Sequence, residues 1–164
     1  MMRYPALLLL CGLLLALPTA PGAPDQPTVY VVAGSASSKR ISRSKAKELA
    51  DSAEDLRKQI GKRAHIDLAP TIESADILIT ILDRRIEFRQ SRQTQYGGAD
   101  TQRQYQSRHV IAYRVRVGEL TRDGEYLNAG SLVTWRRVAT GLSKEIERWA
   151  RDNLELLLQQ RAQR

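Results

Sequence analysis

The chain has 164 residues, is 42% hydrophobic and carries a formal charge of +8, which suits one compact domain with a basic surface. One cysteine excludes an internal disulfide, and two histidines make a poor metal set, because structural zinc wants four good ligands. Neither a metal nor a cofactor is expected.

The first part of the chain stands apart from the domain. Arg3 precedes an apolar run, Ala6 to Leu17, which gives way to prolines and small residues. A basic start, a short apolar core and a small-residue end are the parts of a secretory signal, expected over residues 1–22 with cleavage after Gly22. The run is shorter than the roughly 20 apolar residues that span a bilayer. Cys11 lies inside it, behind Leu8, Leu9 and Leu10, where a lipid-attachment signal needs a small residue, so no lipid anchor is expected. The remainder then lacks cysteine and, with Arg3 gone from the +8, keeps +7. An exported domain held by its core alone fits a bacterial periplasm, with an extracellular location as the other possibility. Five of the six prolines fall between Pro5 and Pro27, and residues 23–27 read as a stiff tether to a single domain over 28–164.

Thr28 to Ala33, rich in β-branched residues, predicts the first strand. Ile41 to Ile60 predicts an amphipathic helix, with Ala46, Leu49, Ala50, Ala53, Leu56 and Ile60 as its apolar stripe. Ser42 or Ser44 can cap its start, Gly61 can end it in a left-handed conformation, and Glu54 and Lys58 are spaced to pair. Ala64 to Leu68 reads as a short edge strand closed by Pro70.

Asp76 to about Phe88 is the central strand. Ile77 to Leu82 is apolar at both parities except Thr80, the pattern of a strand covered on both faces. Residues 89–107, polar around Tyr96-Gly97-Gly98, read as a long hairpin loop. His109 to Val117 is the next strand. Asp123-Gly124 signals a tight turn into a strand over Glu125 to Leu132, which makes the apolar phase switch and calls for a bulge near Gly118. From a Thr134 cap, Trp135, Val138, Ala139, Leu142, Ile146, Trp149, Asn153 and Leu157 keep helical phase in one long helix, with Glu147 and Arg151 as a surface pair. Both tryptophans fall on the apolar stripe and are expected in the core.

These elements predict an α+β fold: a two-layer sandwich whose mixed, mostly antiparallel sheet of four or five strands carries two amphipathic helices on one face. The first and central strands would be parallel neighbours through a right-handed crossover.

Catalytic motifs are thin. Ser42-Arg43-Ser44-Lys45 has the Ser-x-x-Lys spacing of penicillin-recognising enzymes without their other signatures, and helix capping explains it. Gly34 to Lys39 lies between a strand and a helix but lacks the Gly-Lys-Ser/Thr ending of a phosphate loop. The stronger pattern is basic: Arg84, Arg85, Arg89, Arg92, Arg103, Arg108, Arg114 and Arg116 on the central hairpin, interleaved with Tyr96 and Tyr105. Arginine forks bind phosphate bidentately and tyrosines stack on sugars. The reading is therefore a non-enzymatic binding or accessory domain of the bacterial envelope. Its basic hairpin would contact an anionic component (lipopolysaccharide or anionic lipid) or a partner protein, and would touch a membrane only peripherally. Nucleic-acid signatures are missing and an exported protein rarely meets nucleic acid. One alternative is a small secreted hydrolase using His65 or His109; another is a structural module with no ligand.

Overall fold

A computed structural model describes residues 26–34, 41–90, 105–130 and 132–164. The expected leader and most of the tether lie outside them. The elements are β1 (Thr28–Ala33), α1 (Arg43–Ile60), β2 (Asp67–Leu68), β3 (Ile77–Gln90), β4 (Tyr105–Val117), β5 (Leu120–Ala129), α2 (Trp135–Asp152) and α3 (Leu154–Ala162). They form an α+β two-layer sandwich on one mixed sheet of order β2-β1-β3-β4-β5. β1 runs parallel to β2 and β3, and β3, β4 and β5 form an antiparallel meander.

The core lies between the sheet and α1 and α2. Val29, Val31, Ile77, Ile79 and Ile81 from the strands meet Leu49, Ala53, Leu56 and Ile60 of α1 and Val138, Leu142, Ile146 and Ala150 of α2. Only one face of β3 is sealed. Ile77, Ile79 and Ile81 are fully buried, whereas Leu78, Thr80 and Leu82 on the other parity are half-buried. The expectation of cover on both faces is corrected accordingly, because all the described helices packed on the sheet lie on one side.

Leu82 is where β3 changes phase. The pairing with β4 slips between Ile81 and Asp83, so Ile81 stands opposite Tyr113 and Arg84 opposite Ile111. The extra residue moves Arg84, Ile86 and Phe88 onto the helix side of the sheet, in line with Ile77, Ile79 and Ile81. The bulge expected near Gly118 is thus here instead.

Gly118 has a different task. With Val117 opposite Leu120, Gly118 and Glu119 form a two-residue hairpin turn, and Gly118 takes a positive φ of 55°. The turn expected at Asp123-Gly124 is therefore corrected: both residues lie inside β5, opposite Arg114 and Tyr113. Long-range partners outweigh the local turn preference. Arg114 grips the Asp123 carboxylate through Nε at 2.6 Å and Nη2 at 2.8 Å. The Tyr113 ring lies over Gly124, where a Cβ would come within 2.9 Å of it.

Local end signals fare better. Ser42 Oγ accepts from the Lys45 amide at 3.2 Å and Thr134 Oγ1 from the Arg137 amide at 3.4 Å, as capping residues should. Gly61 ends α1 through its N–H on the Arg57 carbonyl, but in right-handed conformation (φ −61°) rather than the left-handed one expected. Glu54 and Lys58 pair at 3.4 Å.

The single final helix is two. At Asn153 the backbone leaves helical geometry (φ −119°, ψ 23°), and its side-chain amide donates to the Trp149 carbonyl at 2.8 Å. That is the local competition by which asparagine interrupts helices. Glu147 is not paired with Arg151: its Oε1 accepts from the Ala64 and His65 amides at 3.1 and 3.2 Å and holds the loop before β2.

The break turns α3 toward the start of the sheet. There Asp76, 3% exposed, receives Arg161 through Nη2 on Oδ2 and through Nε on Oδ1 at 3.1 Å. Oδ2 also accepts from the Thr28 amide at 2.8 Å and its hydroxyl at 2.9 Å. Burial would raise the Asp76 pKa; the bonds from Arg161 and Thr28 outweigh it and hold the carboxyl below its ordinary range.

Candidate functional site

The arginines singled out in the sequence separate by strand parity. Arg85, Arg89, Arg108, Arg114 and Arg116 share the sheet face away from the helices, while the Leu82 bulge puts Arg84 on the helix face. Arg92, Arg103 and Tyr96 lie outside the described residues, as does the side chain of Tyr105.

Several of these cations are already matched. Arg84 packs its guanidinium 4.7 Å from the centre of the Trp135 ring, with Glu48 at 3.8 Å. Arg85 holds Glu87 at 2.8 Å and Glu125 at 3.0 Å, and those carboxylates raise its pKa. Arg114 is closed by Asp123. Lys45, from the first turn of α1, reaches Asp83 at 2.5 Å and the Arg84 carbonyl at 2.7 Å. Burial works to raise the Asp83 pKa, and the hydrogen bond and charge of Lys45 overcome it, leaving the group below its ordinary range. This pairing also removes Lys45 from Ser42 as a helper base. The face thus carries matched charges in its middle, apart from half-buried Arg108, whose Nε is buried without a partner; exposed Arg89 and Arg116 at its two ends have no acidic partner among the described residues.

Three further cations without an acidic partner among the described residues lie near the end of β1, which stops opposite Ile81 while β3 runs on to Gln90; others, Lys62, Arg122 and Arg148 among them, lie elsewhere. Both α1 and α2 begin near that end of β1 and run back along the sheet, and neither has an acid in its first turn. Arg43 opens α1, and Arg136 and Arg137 follow Trp135 in α2; all three are exposed and none makes an ion pair among the described residues. A helix start carries about half a positive charge and prefers acids, so basic residues there oppose folding by about 0.3–1 kcal/mol each. Arg89 lies farther along β3 on the opposite face of the sheet, and these helix-start arginines are a charge that the hairpin count alone does not reveal. The missing first-turn acids were the sequence signal for it.

On the helix side of the sheet's hairpin end, apolar side chains are left in water. Phe88 is 73% exposed, Ile86 46% and Leu132 79%. Phe88 stands opposite Ser107, whose carbonyl accepts from the Gly130 amide at 3.2 Å, two residues before Leu132. Ile86 stands opposite His109, whose ring meets Trp135 edge-on at 4.8 Å and 69°. Trp135 and Trp149 are both half-buried and pack against the core, as expected of a stripe.

A cleft of about 560 Å³ opens between α2 and the β4–β5 hairpin. Tyr113, Val115, Ile146 and Trp149 line it, with Arg122, Arg148, Glu145 and Asp152 among its polar groups. Burial and the Glu145 charge raise the Tyr113 pKa, so its phenol stays neutral at ordinary pH. The charges of this cleft are mixed in sign and converge on no single point.

Nor do the histidines meet. His65 is exposed beside β2, and His109 lies toward the hairpin end of β4. Among the described residues no hydroxyl or carboxylate bonds to either ring, Nδ1 of His109 is buried without a partner, and no cluster of three metal-ligating side chains occurs. No described helix is long and apolar enough to cross a membrane.

Comparison with known proteins adds little. No protein-family model and no curated protein matches the chain. Among 11 matching chains of solved structures is a minor lipoprotein from Acinetobacter baumannii. It shares 10% identity over 77% of this chain and 93% of its own, with a TM-score of 0.43, a likeness too weak to bear on function.

Proposed function

We propose that this is an exported, non-enzymatic accessory domain of the bacterial cell envelope that binds an anionic envelope component with the hairpin end of its sheet. The observation that carries the reading is the set of exposed, unmatched arginines there, Arg43, Arg89, Arg136 and Arg137, two helix starts among them. Cations at a helix start oppose its dipole, and a polyanion would supply the missing counter-charge. The leader-like start, the domain without cysteine and the net charge support export and an anionic partner. Other arginines of the hairpin, Arg85 and Arg114, already have carboxylates of the sheet as partners.

The test is a titration of the exported protein with lipopolysaccharide and with anionic lipid vesicles at low and high salt. Binding to either that weakens steeply with salt is expected, since exposed charge contacts are screened beyond about 10 Å at 0.1 M. Absence of binding to both, at both salts, contradicts the reading.

A further inference from the structure

Exposed apolar side chains beside unmatched cations are the chemistry of a surface that meets lipid, and we infer that the hairpin end docks on an anionic bilayer with Phe88, Ile86 and Leu132 entering the headgroup region. The inference rests on the anionic reading above and names its ligand. Phe88 and Ile86 follow one another on the helix face of β3 because the Leu82 bulge carries them there. They extend past the part of the sheet that α2 covers, no described helix covers them, and they remain 73% and 46% exposed. Leu132, 79% exposed, stands at the same end, in the connection before α2.

The cations are placed to match. Arg137 donates to the Leu132 carbonyl at 3.3 Å and Arg136 precedes it in α2, while Arg89 follows Phe88 in β3 on the opposite face of the sheet. Arginine near an anionic leaflet gains about as much per residue as a tenfold-or-less change in affinity, and the attraction fades within a Debye length. An exposed phenylalanine gains nothing from a soluble polyanion but gains from leaving water at the acyl boundary. Apolar entry and charge attraction therefore act on the same patch. A soluble anion would need only the arginines, which is what separates the two sources of negative charge.

The experiment uses the exported protein and vesicles of phosphatidylcholine with and without phosphatidylglycerol, in a flotation assay at low and high salt. Phe88→Ser/Leu132→Ser is expected to weaken binding to the anionic vesicles by at least about tenfold. Binding to lipopolysaccharide sugars and free polyphosphate should hardly change. Both residues are exposed, so the thermal midpoint should stay where it is, which guards against loss of fold. A second arm introduces Phe88→Trp or, at the opposite end of the sheet, Leu120→Trp, and adds lipids brominated along their acyl chains. Quenching beyond that of the native tryptophans is expected for Phe88→Trp and not for Leu120→Trp. Vesicle binding that is salt-sensitive yet unaffected by the serine pair would overturn insertion while leaving the anionic reading intact. Failure to bind vesicles or lipopolysaccharide at all would overturn both.

Discussion

The two ends of β3 are built on opposite principles. At its start, the Asp76 carboxylate is buried and met by Arg161 and Thr28, so the charge is neutralised within the fold. At its far end, cations stand unmatched and Phe88 and Ile86 remain in water. The first end buries and neutralises a carboxylate within the fold, although Arg116 and Leu120 nearby stay exposed; the other leaves a phenylalanine, an isoleucine and arginines exposed together among the described residues. Stability and recognition are thus divided along a single strand, and substitutions at the two ends should fail in different assays.

The largest effect is expected from Arg161→Met. Removing one partner of a buried pair costs about 3–5 kcal/mol, reduced here to about 2–4 because Arg161 is itself one-third exposed. Chemical denaturation at neutral pH measures it. The sign of the pH dependence follows from Asp76. Its folded pKa lies below its unfolded value near 3.9, so its contribution is present above that pH and is lost as pH falls through the folded pKa. In Arg161→Met the carboxyl is buried without its cation and resists ionisation, so the gap between the variant and wild type should narrow on acidification. A gap that widens below pH 4 would contradict the clamp. Vesicle binding, measured on the folded fraction, should be unaffected.

Next comes Gly141→Ala. Helix propensity alone would favour alanine by about 1 kcal/mol. The Tyr126 ring occupies the place of the added Cβ, its hydroxyl closest, so the substitution must displace an aromatic ring that joins β5 to α2. Overpacking of this kind costs about 1–3 kcal/mol. A net loss of stability is expected, and a stabilised Gly141→Ala protein would show that the ring moves aside freely.

Arg136→Glu should act in the opposite direction at the other end. An acid in the first turn of α2 complements the helix start and should raise stability by about 0.5 kcal/mol while weakening binding to anionic vesicles. Stability and binding that both fall would break the proposed division. The smallest effect is expected from Arg114→Gln: both it and its partner Asp123 are exposed, so the unfolding midpoint should not move measurably.

How much of this could be read from the residues depended on whether the signal was periodic or paired. β1, α1 and the parallel placement of β1 beside β3 follow from apolar spacing, and the helix caps from single side chains. The Asp123-Gly124 turn misled because those residues pair with Arg114 and Tyr113 across strands, nine and eleven residues away, and no local preference encodes that. The bulge at Leu82 was written in the shift from odd isoleucines, Ile77 to Ile81, to even Arg84, Ile86 and Phe88. It reads as a strand thinning into solvent until the register with β4 is known. Counting arginines on the hairpin found the charge but not its state, because matching by Glu87, Glu125 and Asp123 depends on which residues face each other across strands. Phe88 was visible only as the end of a strand. Its exposure follows from where α2 begins, which no stretch of sequence states by itself.

The measurement to make is vesicle affinity for two variants that each remove two unmatched arginines, one from either end of the sheet. Arg89→Ser/Arg136→Ser alters the hairpin end; Arg116→Ser/Arg122→Ser removes the same charge near the β4–β5 turn. If recognition belongs to the hairpin end, the first variant should lose roughly 20-fold in affinity at low salt, about fivefold for each arginine, and the second far less. Equal losses would mean that only net charge matters, and the division between the two ends of the strand would be wrong.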